Sequence, residues 1–263
     1  MYRMMRFLLL LLLPFTVSAQ TDSLRSLPKY DGLTIQDNNT DSLFNSSLFK
    51  LKAKQFIVPA ALIGYGLLAT DAKFFKNINL DIRNEIVANH PNFSTKIDDY
   101  TRIVPGAAVF ALQAFGIKGE SSVKKEAVVY AMSVGISTAT VFSTKRLTRQ
   151  ERPDGSDRRS FPSGHATLAF ASAEFLRREY WQVSPWIGVG GYAVATGTGI
   201  LRLYNNKHWL GDVAAGAGIG ILSTTLSYWL YDKIHIGGDD QRTISLFPGY
   251  SNRQFTVGFV KQF

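Results

Sequence analysis

The sequence contains no cysteine, few histidines and few charged residues. None of the 263 residues is cysteine, which excludes a disulfide scaffold, thiol catalysis and any zinc or iron–sulfur site built on cysteine. The four histidines, His90, His165, His208 and His235, leave little material for a histidine-built metal centre. Charged residues make up 19% and hydrophobic residues 46%. The chain can therefore bury a sizeable core, and wholesale disorder is not expected.

Among the charged residues, basic side chains outnumber acidic ones. There are 29 basic and 20 acidic side chains, which gives a formal net charge of +9. Such an excess favours an anionic partner, either nucleic acid, a phosphate-bearing lipid surface or a phosphorylated substrate. Composition does not choose among these three, and the motifs described below do.

The first 50 residues divide into two segments. Residues 1–19 are typical of a signal peptide, because Arg3 and Arg6 precede the apolar run from Phe7 to Phe15 and a small-x-small site ends at Ala19. An uncleaved membrane anchor is the alternative. Residues 20–50 are rich in Ser, Asp, Asn and Thr, and we interpret them as an exposed linker.

From residue 55 the sequence is dominated by uncharged stretches rich in small residues. They cover 55–70, 103–117, 127–144, 160–173, 180–201 and 213–231. Several approach the roughly 20 apolar residues that span a bilayer, and small residues let membrane helices pack closely. We predict an all-α, six-helix bundle over residues 51–238 that is embedded in a membrane. A tightly packed soluble bundle is the alternative.

The distribution of cations favours one orientation of this bundle. If 55–70 packs without crossing, six cations fall on the cytoplasmic side, as the positive-inside rule prefers: Lys118, Lys124, Lys125, Arg177, Arg178 and Lys233. The loops at 144–164 and 202–212 then face outward. At the C-terminus, residues 239–263 alternate apolar and polar positions around turn residues, which predicts a β-hairpin tail.

Polar residues concentrate in three segments between the apolar stretches. They are Lys145 to Arg152-Pro153, Ser160 to Pro162-Ser163-Gly164-His165, and Arg202 to His208 and Asp212. Lys145, Arg152 and Arg202 supply positive charges, and the two guanidinium groups suit phosphate oxygens. Ordinary surface charge is the alternative for each cation taken alone.

The other members of these segments favour phosphoryl transfer. Ser163-Gly164 lies where a helix is expected to begin, so its free N–H groups would attract an anion, although a plain N-cap is the alternative for Ser163. His208 and Asp212 are spaced i, i+4, which predicts one helical face and a carboxylate that orients the imidazole. A helix-surface hydrogen bond is the alternative for that pair. Together the segments indicate a histidine nucleophile, with His165 as a second histidine that donates a proton.

The three segments resemble the signature of the type 2 phosphatidic acid phosphatases and vanadium haloperoxidases. That signature is K-x6-RP, then PSGH, then (S)R-x5-H-x3-D, and all three parts occur in order at Lys145–Pro153, Pro162–His165 and Arg202–Asp212. Leu201 departs from the usual small or hydroxyl residue, and the eight residues between Pro153 and Pro162 are few for the family.

The resemblance implies a role for each site residue. His208 would attack phosphorus and form a phosphohistidine, Asp212 would orient it, and His165 would protonate the leaving oxygen. The remaining residues would hold the phosphate oxygens: Lys145, Arg152, Ser163, Gly164 and Arg202. No metal or other cofactor is expected, since the cations neutralise the charge and the sequence offers no carboxylate cluster for magnesium.

We therefore expect a metal-independent phosphomonoesterase or pyrophosphatase whose partners are a lipid phosphate and the membrane, with no nucleic acid. Phosphatidic acid, phosphatidylglycerophosphate, polyprenyl pyrophosphate and a lipid A phosphate are the candidate substrates. The expected location is the cell membrane, with the active site facing the periplasm. The alternatives are a soluble periplasmic acid phosphatase of broad specificity, a vanadate-dependent haloperoxidase and a basic phospholipid-binding protein without catalysis.

Overall fold

The computed structural model describes residues 54–235, 244–251 and 254–261; of His235 and of the last two ranges it describes the backbone alone. The predicted signal peptide, 1–19, and the predicted linker, 20–50, lie outside the described residues.

Eight helices make up the part of the chain from residue 54 to residue 235. They are α1 (Lys54–Asp71), α2 (Lys73–Asn89), α3 (Ile97–Thr101), α4 (Val104–Ala114), α5 (Val123–Thr148), α6 (Gly164–Tyr180), α7 (Pro185–Tyr204) and α8 (Leu210–His235). The prediction of an all-α domain is confirmed for these residues.

The predicted count of six helices is too low for this part of the chain. Six of the eight correspond to the uncharged stretches, and the other two, α2 and α3, come from residues 73–101. Helix α2 is amphipathic and buries Asn79, Ile82 and Ile86. It is separated from α1 by the extended backbone of Ala72, where the two helix axes bend by 89°.

Helix boundaries near the polar segments follow local sequence signals. Ser163 caps α6 by accepting the N–H of Ala166, and Ser122 caps α5 in the same way. Helix α5 ends at Thr148, and the next residue, Arg149, has a left-handed φ of 47°. Helix α7 starts at Pro185, because proline is favoured in the first turn of a helix. With α7 ending at Tyr204 and α8 beginning at Leu210, all three polar segments lie at helix ends.

Helix α6 lies at the centre of the bundle and packs against α4, α5, α7 and α8. Close packing with α8 depends on glycine: a Cβ added at Gly220 would lie 2.2 Å from the carbonyl oxygen of Thr167, and one at Gly216 would lie 2.6 Å from that of Ser163. The predicted use of small residues for close helix contact is therefore confirmed at this interface.

Two of the described helices are long and apolar enough to cross a membrane, Val123–Thr148 and Leu210–Ile234. The bent pair α1 and α2 passes the same test when taken as one broken span, and α4 is a shorter apolar helix. Leu210–Ile234 is mostly buried within the protein, whereas most of Val123–Thr148 faces outward. By length and composition, the chain has the character of a membrane-embedded protein.

The described C-terminal segments form two strands, β1 (Ile244–Ser251) and β2 (Gln254–Lys261). They pair antiparallel, with Ile244 opposite Lys261 and Ser251 opposite Gln254. These strands fall within the 239–263 segment for which the sequence predicts a β-hairpin.

Candidate active site

The carboxylate of Asp212 is the centre of a buried hydrogen-bond network. Its Oδ2 accepts from the backbone N–H of Trp209 at 2.9 Å, lies 3.3 Å from Nδ1 of His208, and accepts from the Ser160 hydroxyl. Asp212 is completely buried. Its backbone oxygen accepts the N–H of Ser163 at 3.0 Å, so the second and third polar segments meet at this residue.

His208 is held by Asp212, but the two do not share a helical face as the spacing predicts. Helix α8 begins at Leu210, so His208 lies in the preceding turn and only Asp212 is helical. The Asp212 carboxylate, in the first turn of α8, accepts the backbone N–H of Trp209, the residue before that helix. This hydrogen bond holds the segment that carries His208. With Nδ1 facing the carboxylate, Nε2 is the nitrogen able to attack an electrophile.

Burial lowers the pKa of His208 to about 4. The hydrogen bond and the charge of Asp212 oppose this decrease, and the positive charges of Lys145 and Arg202 add to it. The imidazole is therefore neutral, with a lone pair available, over most of the physiological pH range.

The three predicted cations lie near one another, and two of them have acidic partners. The charges of Arg152 and Arg202 both act on Lys145, as do those of Asp212 and Asp157. Lys145 donates to the carbonyl oxygens of Arg159 and Ser160, at 3.1 Å for the second. The three cations therefore lie together at the ends of different elements.

Each arginine binds a carboxylate that the sequence pattern does not reveal. Arg152 Nε lies 2.8 Å from Oδ1 of Asp157, and its Nη1 donates to the Lys207 carbonyl oxygen at 3.3 Å. Arg202 Nη1 lies 2.5 Å from Oδ2 of Asp98. Within the described part of the chain, Nε of Arg202 is buried without a hydrogen-bond partner. Both guanidinium groups are thus held in place, and Arg202 keeps one N–H for an additional acceptor.

Ser163 and Gly164 occupy the start of α6, as the sequence predicts. The Ser163 hydroxyl accepts the N–H of Ala166 at 3.4 Å, and the residue is completely buried. The N-cap interpretation therefore describes what Ser163 does in this structure. Gly164 follows it as the first helical residue.

His165 is oriented by an aspartate from α3. Its Nε2 lies 2.7 Å from Oδ1 of Asp99, and its side chain is 20% exposed. Burial lowers the pKa of His165 below its usual 6.5, whereas the hydrogen bond to Asp99 raises it. The same hydrogen bond holds the pKa of Asp99 below its usual value. His165 therefore has a carboxylate partner of its own, in the way that His208 has Asp212.

Sequence reasoning missed Asp98 and Asp99, and it included Ser160 in the second polar segment without giving it a role. The two aspartates lie in the first turn of the five-residue helix α3, outside the three polar segments of the motif. Asp98 also accepts from Asn205 Nδ2 at 3.1 Å, which ties α3 to the end of α7. Only one sequence signal, a pair of adjacent acids before an apolar helix, would have indicated Asp98 and Asp99, and this signal is weak.

The expectation that no carboxylate cluster forms needs correction. Ligand-type atoms of Asp98, Asp99 and His165 lie within 4.8 Å of one another. The two carboxylates are neighbours in sequence, and His165 joins them because α3 packs against α6. Asp98 and Asp99 each have an ionic partner within the protein, Arg202 and His165 respectively.

Comparison with known proteins agrees with the motif pattern. The chain is 40% identical over 163 residues to lipid A 1-phosphatase of Porphyromonas gingivalis, which covers 60% of this chain and 36% of that protein. It is 36% identical over 75 residues to the bacitracin transport permease protein BcrC of Bacillus licheniformis, which covers 28% of this chain and 35% of that protein. The chain thus spans about a third of the length of these curated relatives.

Two solved structures are similar at lower identity. One is the crystal structure of Aquifex aeolicus LpxE, with a TM-score of 0.44 and 24% identity over 57% of this chain and 94% of the other. The second is the transmembrane PAP2-type phosphatidylglycerolphosphate phosphatase of Bacillus subtilis, with a TM-score of 0.40 and 21% identity over 67% of this chain and 97% of the other.

A family model adds a sequence match over the motif region. The model of the PAP2 superfamily matches residues 137–236. This range contains all three polar segments, from Lys145 to Asp212. The similarity of this chain to the PAP2 superfamily therefore includes His208 and the three residues that act on it, Asp212, Lys145 and Arg202.

Proposed function

We propose that this chain is a phosphatase that hydrolyses a phosphomonoester or pyrophosphate of a lipid through a phosphohistidine intermediate. The observation that carries the proposal is the buried Asp212 network, which holds Nδ1 of His208 and leaves a neutral imidazole beside Lys145 and Arg202. A histidine merely packed in a core has no need of adjacent cations. A nucleophile that attacks a phosphate does need them.

The first chemical step transfers the phosphoryl group to the protein. Nε2 of His208 attacks phosphorus as the bond from phosphorus to the leaving oxygen breaks. His165 supplies the proton that this oxygen takes up. Lys145, Arg152 and Arg202 stabilise the charge on the three equatorial oxygens. Asp212 stabilises the positive charge that develops on the His208 ring.

The second step releases inorganic phosphate. His165, now without its proton, accepts one from a water molecule as that water attacks phosphorus and the bond to Nε2 breaks. Asp99 holds His165 in position through both steps, at 2.7 Å. The reaction returns both histidines to their starting protonation states and needs no metal ion.

A lipid phosphate is the substrate class that the surroundings favour. The catalytic segments lie at the ends of apolar helices, two of which are long enough to span a membrane. A relative with 40% identity is named lipid A 1-phosphatase. We propose that the domain spans residues 51–238, that the first 19 residues direct export, and that the active site faces the periplasm.

The test is hydrolysis by the purified chain, with and without detergent, of a panel of lipid and soluble phosphates. We expect turnover of lipid phosphates that EDTA leaves unchanged and vanadate inhibits, because trigonal-bipyramidal vanadate resembles the transition state. His208→Ala should abolish turnover, and a stoichiometric labelled phosphohistidine should be trapped in the unmodified chain. Asp212→Asn should lose less, on the order of 10³-fold in kcat, because the nucleophile remains but loses its orientation.

Other outcomes would contradict the proposal in different ways. A strict magnesium requirement would indicate another phosphatase class, with Asp98, Asp99 and His165 as the first place to look for ligands. Bromide oxidation with vanadate and peroxide would indicate a haloperoxidase. Detergent-independent turnover of soluble phosphates alone would favour a broad-specificity acid phosphatase, and no turnover at all would favour a phospholipid-binding protein.

A further inference from the structure

The side chain of Asn205, the residue that follows α7, makes three hydrogen bonds to a segment about 110 residues away in sequence. Its Oδ1 accepts the backbone N–H of Thr95 at 2.9 Å, and its Nδ2 donates to the carbonyl oxygen of the same residue at 3.0 Å. Nδ2 also donates to Oδ1 of Asp98 at 3.1 Å. One side-chain amide therefore binds both backbone polar groups of Thr95 and a buried carboxylate.

These three hydrogen bonds require an asparagine at position 205. An aspartate would accept the Thr95 N–H but has no donor for the other two partners, and its charge would repel that of Asp98. An amide rotated by half a turn would place its NH₂ group against the Thr95 N–H and its oxygen against two acceptors. Asn205 lies between Arg202 and His208 in the third polar segment, at a position to which the motif gives no role.

The segment that Asn205 holds carries the acidic partners of two site residues. Asp98 accepts from Asn205 with Oδ1 and from Nη1 of Arg202 with Oδ2, so both of its oxygens are fixed. The next residue, Asp99, lies 2.7 Å from Nε2 of His165. Displacement of this segment would therefore release a phosphate-binding guanidinium and the proposed general acid at the same time.

Helix α3 depends on such contacts for its position. It has only five residues, and a helix this short is not stable by itself in water. Helix α7 holds it at two points, since the Thr198 hydroxyl donates to that of Thr101 at 2.8 Å and Asn205 binds the other end. The ring of Tyr204 also packs edge-on against that of Phe93, with 5.4 Å between ring centres. Of these contacts, the Asn205 amide is the one that reaches Asp98 directly.

We infer that Asn205 is a positioning residue of the proposed active site. It holds residues 95–99 so that Asp98 orients Arg202 toward the phosphate and Asp99 orients His165 toward the leaving oxygen. The inference rests on the proposed function and adds to it a residue that touches neither the substrate nor the reacting atoms. Through one side-chain amide, phosphate binding and proton donation depend on the same segment.

The test is Asn205→Ala in the full chain in detergent, which removes all three hydrogen bonds and suits the helical backbone at this position. The inhibition constant of vanadate should rise about tenfold, because Arg202 loses its fixed partner. The value of kcat/KM for phosphatidic acid, an alkyl phosphate, should fall about 10- to 100-fold. The loss with p-nitrophenyl phosphate should be smaller, since its leaving group needs little protonation. Asn92→Ala, at an exposed position before the same segment, is the matched control and should change neither quantity.

A second variant separates the effect on His165 from the effect on Arg202. Four charged side chains act on His165: Asp98, Asp99, Arg102 and Arg202. Only Asp99 is hydrogen-bonded to it. Within an Asp99→Asn chain, Asn205→Ala should therefore leave the ratio of the two substrates' kcat/KM values unchanged, because its path to the imidazole is already broken. The rise in the vanadate inhibition constant should persist there.

A merely structural role for Asn205 gives a different result. Loss of folded protein lowers turnover of both substrates equally and leaves the vanadate inhibition constant unchanged, and this outcome would overturn the inference. If Asn205→Ala does not fold, Asn205→Asp keeps the size and the acceptor for Thr95 and should show the same two shifts. Failure of the unmodified chain to hydrolyse any phosphate would instead overturn the proposed function. Vanadate binding to the full chain then still tests the inference, and equal affinity of the unmodified chain and Asn205→Ala would contradict it.

Discussion

At the scale of single residues, the proposed mechanism needs opposite protonation states of His208 and His165, and burial lowers the pKa of both. As the proposed nucleophile, His208, with a pKa of about 4, should become competent as pH rises through that value. As the proposed general acid, His165 should lose competence as pH rises through a pKa below 6.5. We predict a bell-shaped pH profile of kcat/KM with its maximum on the acid side of 6.5. A profile that keeps rising into alkaline pH would contradict these assignments.

Asp99 should set the alkaline limb of that profile. Its hydrogen bond raises the pKa of His165, so Asp99→Asn should lower this pKa and move the alkaline limb to lower pH. The acid limb, which belongs to His208, should stay in place. The measurement is the rate across pH for the unmodified chain and for Asp99→Asn. Asp81→Asn, on the exposed side of α2, is the control that separates this effect from a general loss of stability. An unshifted alkaline limb would remove Asp99 from this role.

The role of His165 can be tested by changing the leaving group. If it protonates the leaving oxygen, His165→Ala should lose about 10²–10⁴-fold with an alkyl phosphate, whose alkoxide is a poor leaving group. The loss should be much smaller with p-nitrophenyl phosphate, whose phenolate needs little protonation. Parallel kcat/KM measurements on the two substrates check this. Equal losses on both would assign His165 to phosphate binding or to structure.

At the scale of elements, the contact between α6 and α8 depends on glycine. A Cβ at Gly220 would lie 2.2 Å from the oxygen of Thr167 and 2.7 Å from the nitrogen of Ala171, and these backbone atoms have little room to shift. Gly220→Ala should therefore destabilise the protein by about 1–3 kcal/mol. Gly197→Ala on α7 has no atom within 4 Å of the added methyl and should be neutral or slightly stabilising, by up to about 1 kcal/mol.

Thermal unfolding in detergent, followed for both glycine variants, provides the measurement. Because Asp212 lies in the first turn of α8 and His208 lies just before that helix, Gly220→Ala should also lower kcat as the two helices move apart. An unchanged Tm in Gly220→Ala would mean that the two helices pack less closely than described.

At the scale of the whole molecule, the predicted orientation places the two ends of helix α5 on opposite sides of the membrane. Its 26 residues are about 39 Å long, which exceeds the roughly 30 Å hydrocarbon core. In a chain without cysteine, Arg158→Cys beyond its C-terminal end should react with a membrane-impermeant thiol reagent that reaches the periplasm. Lys124→Cys at its N-terminal end should stay protected until the inner membrane is permeabilised. Both positions are exposed.

The two remaining labelling patterns have distinct meanings. Labelling of both cysteines would favour a soluble periplasmic protein. Labelling of Lys124→Cys alone would invert the orientation that the positive-inside rule predicts.

The sequence by itself determined the features that depend on near neighbours. Ser163 lies one residue before α6 because a serine followed by glycine and an apolar helix is a local capping signal. His208 and Asp212 meet because four residues separate them, although they do so in a turn and not on a helical face. The motif residues could be grouped from the sequence because their types and spacings reflect chemistry within short segments.

Only the tertiary structure decided which distant groups complete the site. Asp98 binds Arg202 across 104 residues, Asp99 binds His165 across 66, and Ser160 binds Asp212 across 52. No periodicity within one segment indicates such pairs, because each pair joins two segments that only the packing of the helices brings together. Spacing predicts contacts within about one helical turn, whereas contacts between helices depend on how closely small residues such as Gly216 and Gly220 allow them to approach.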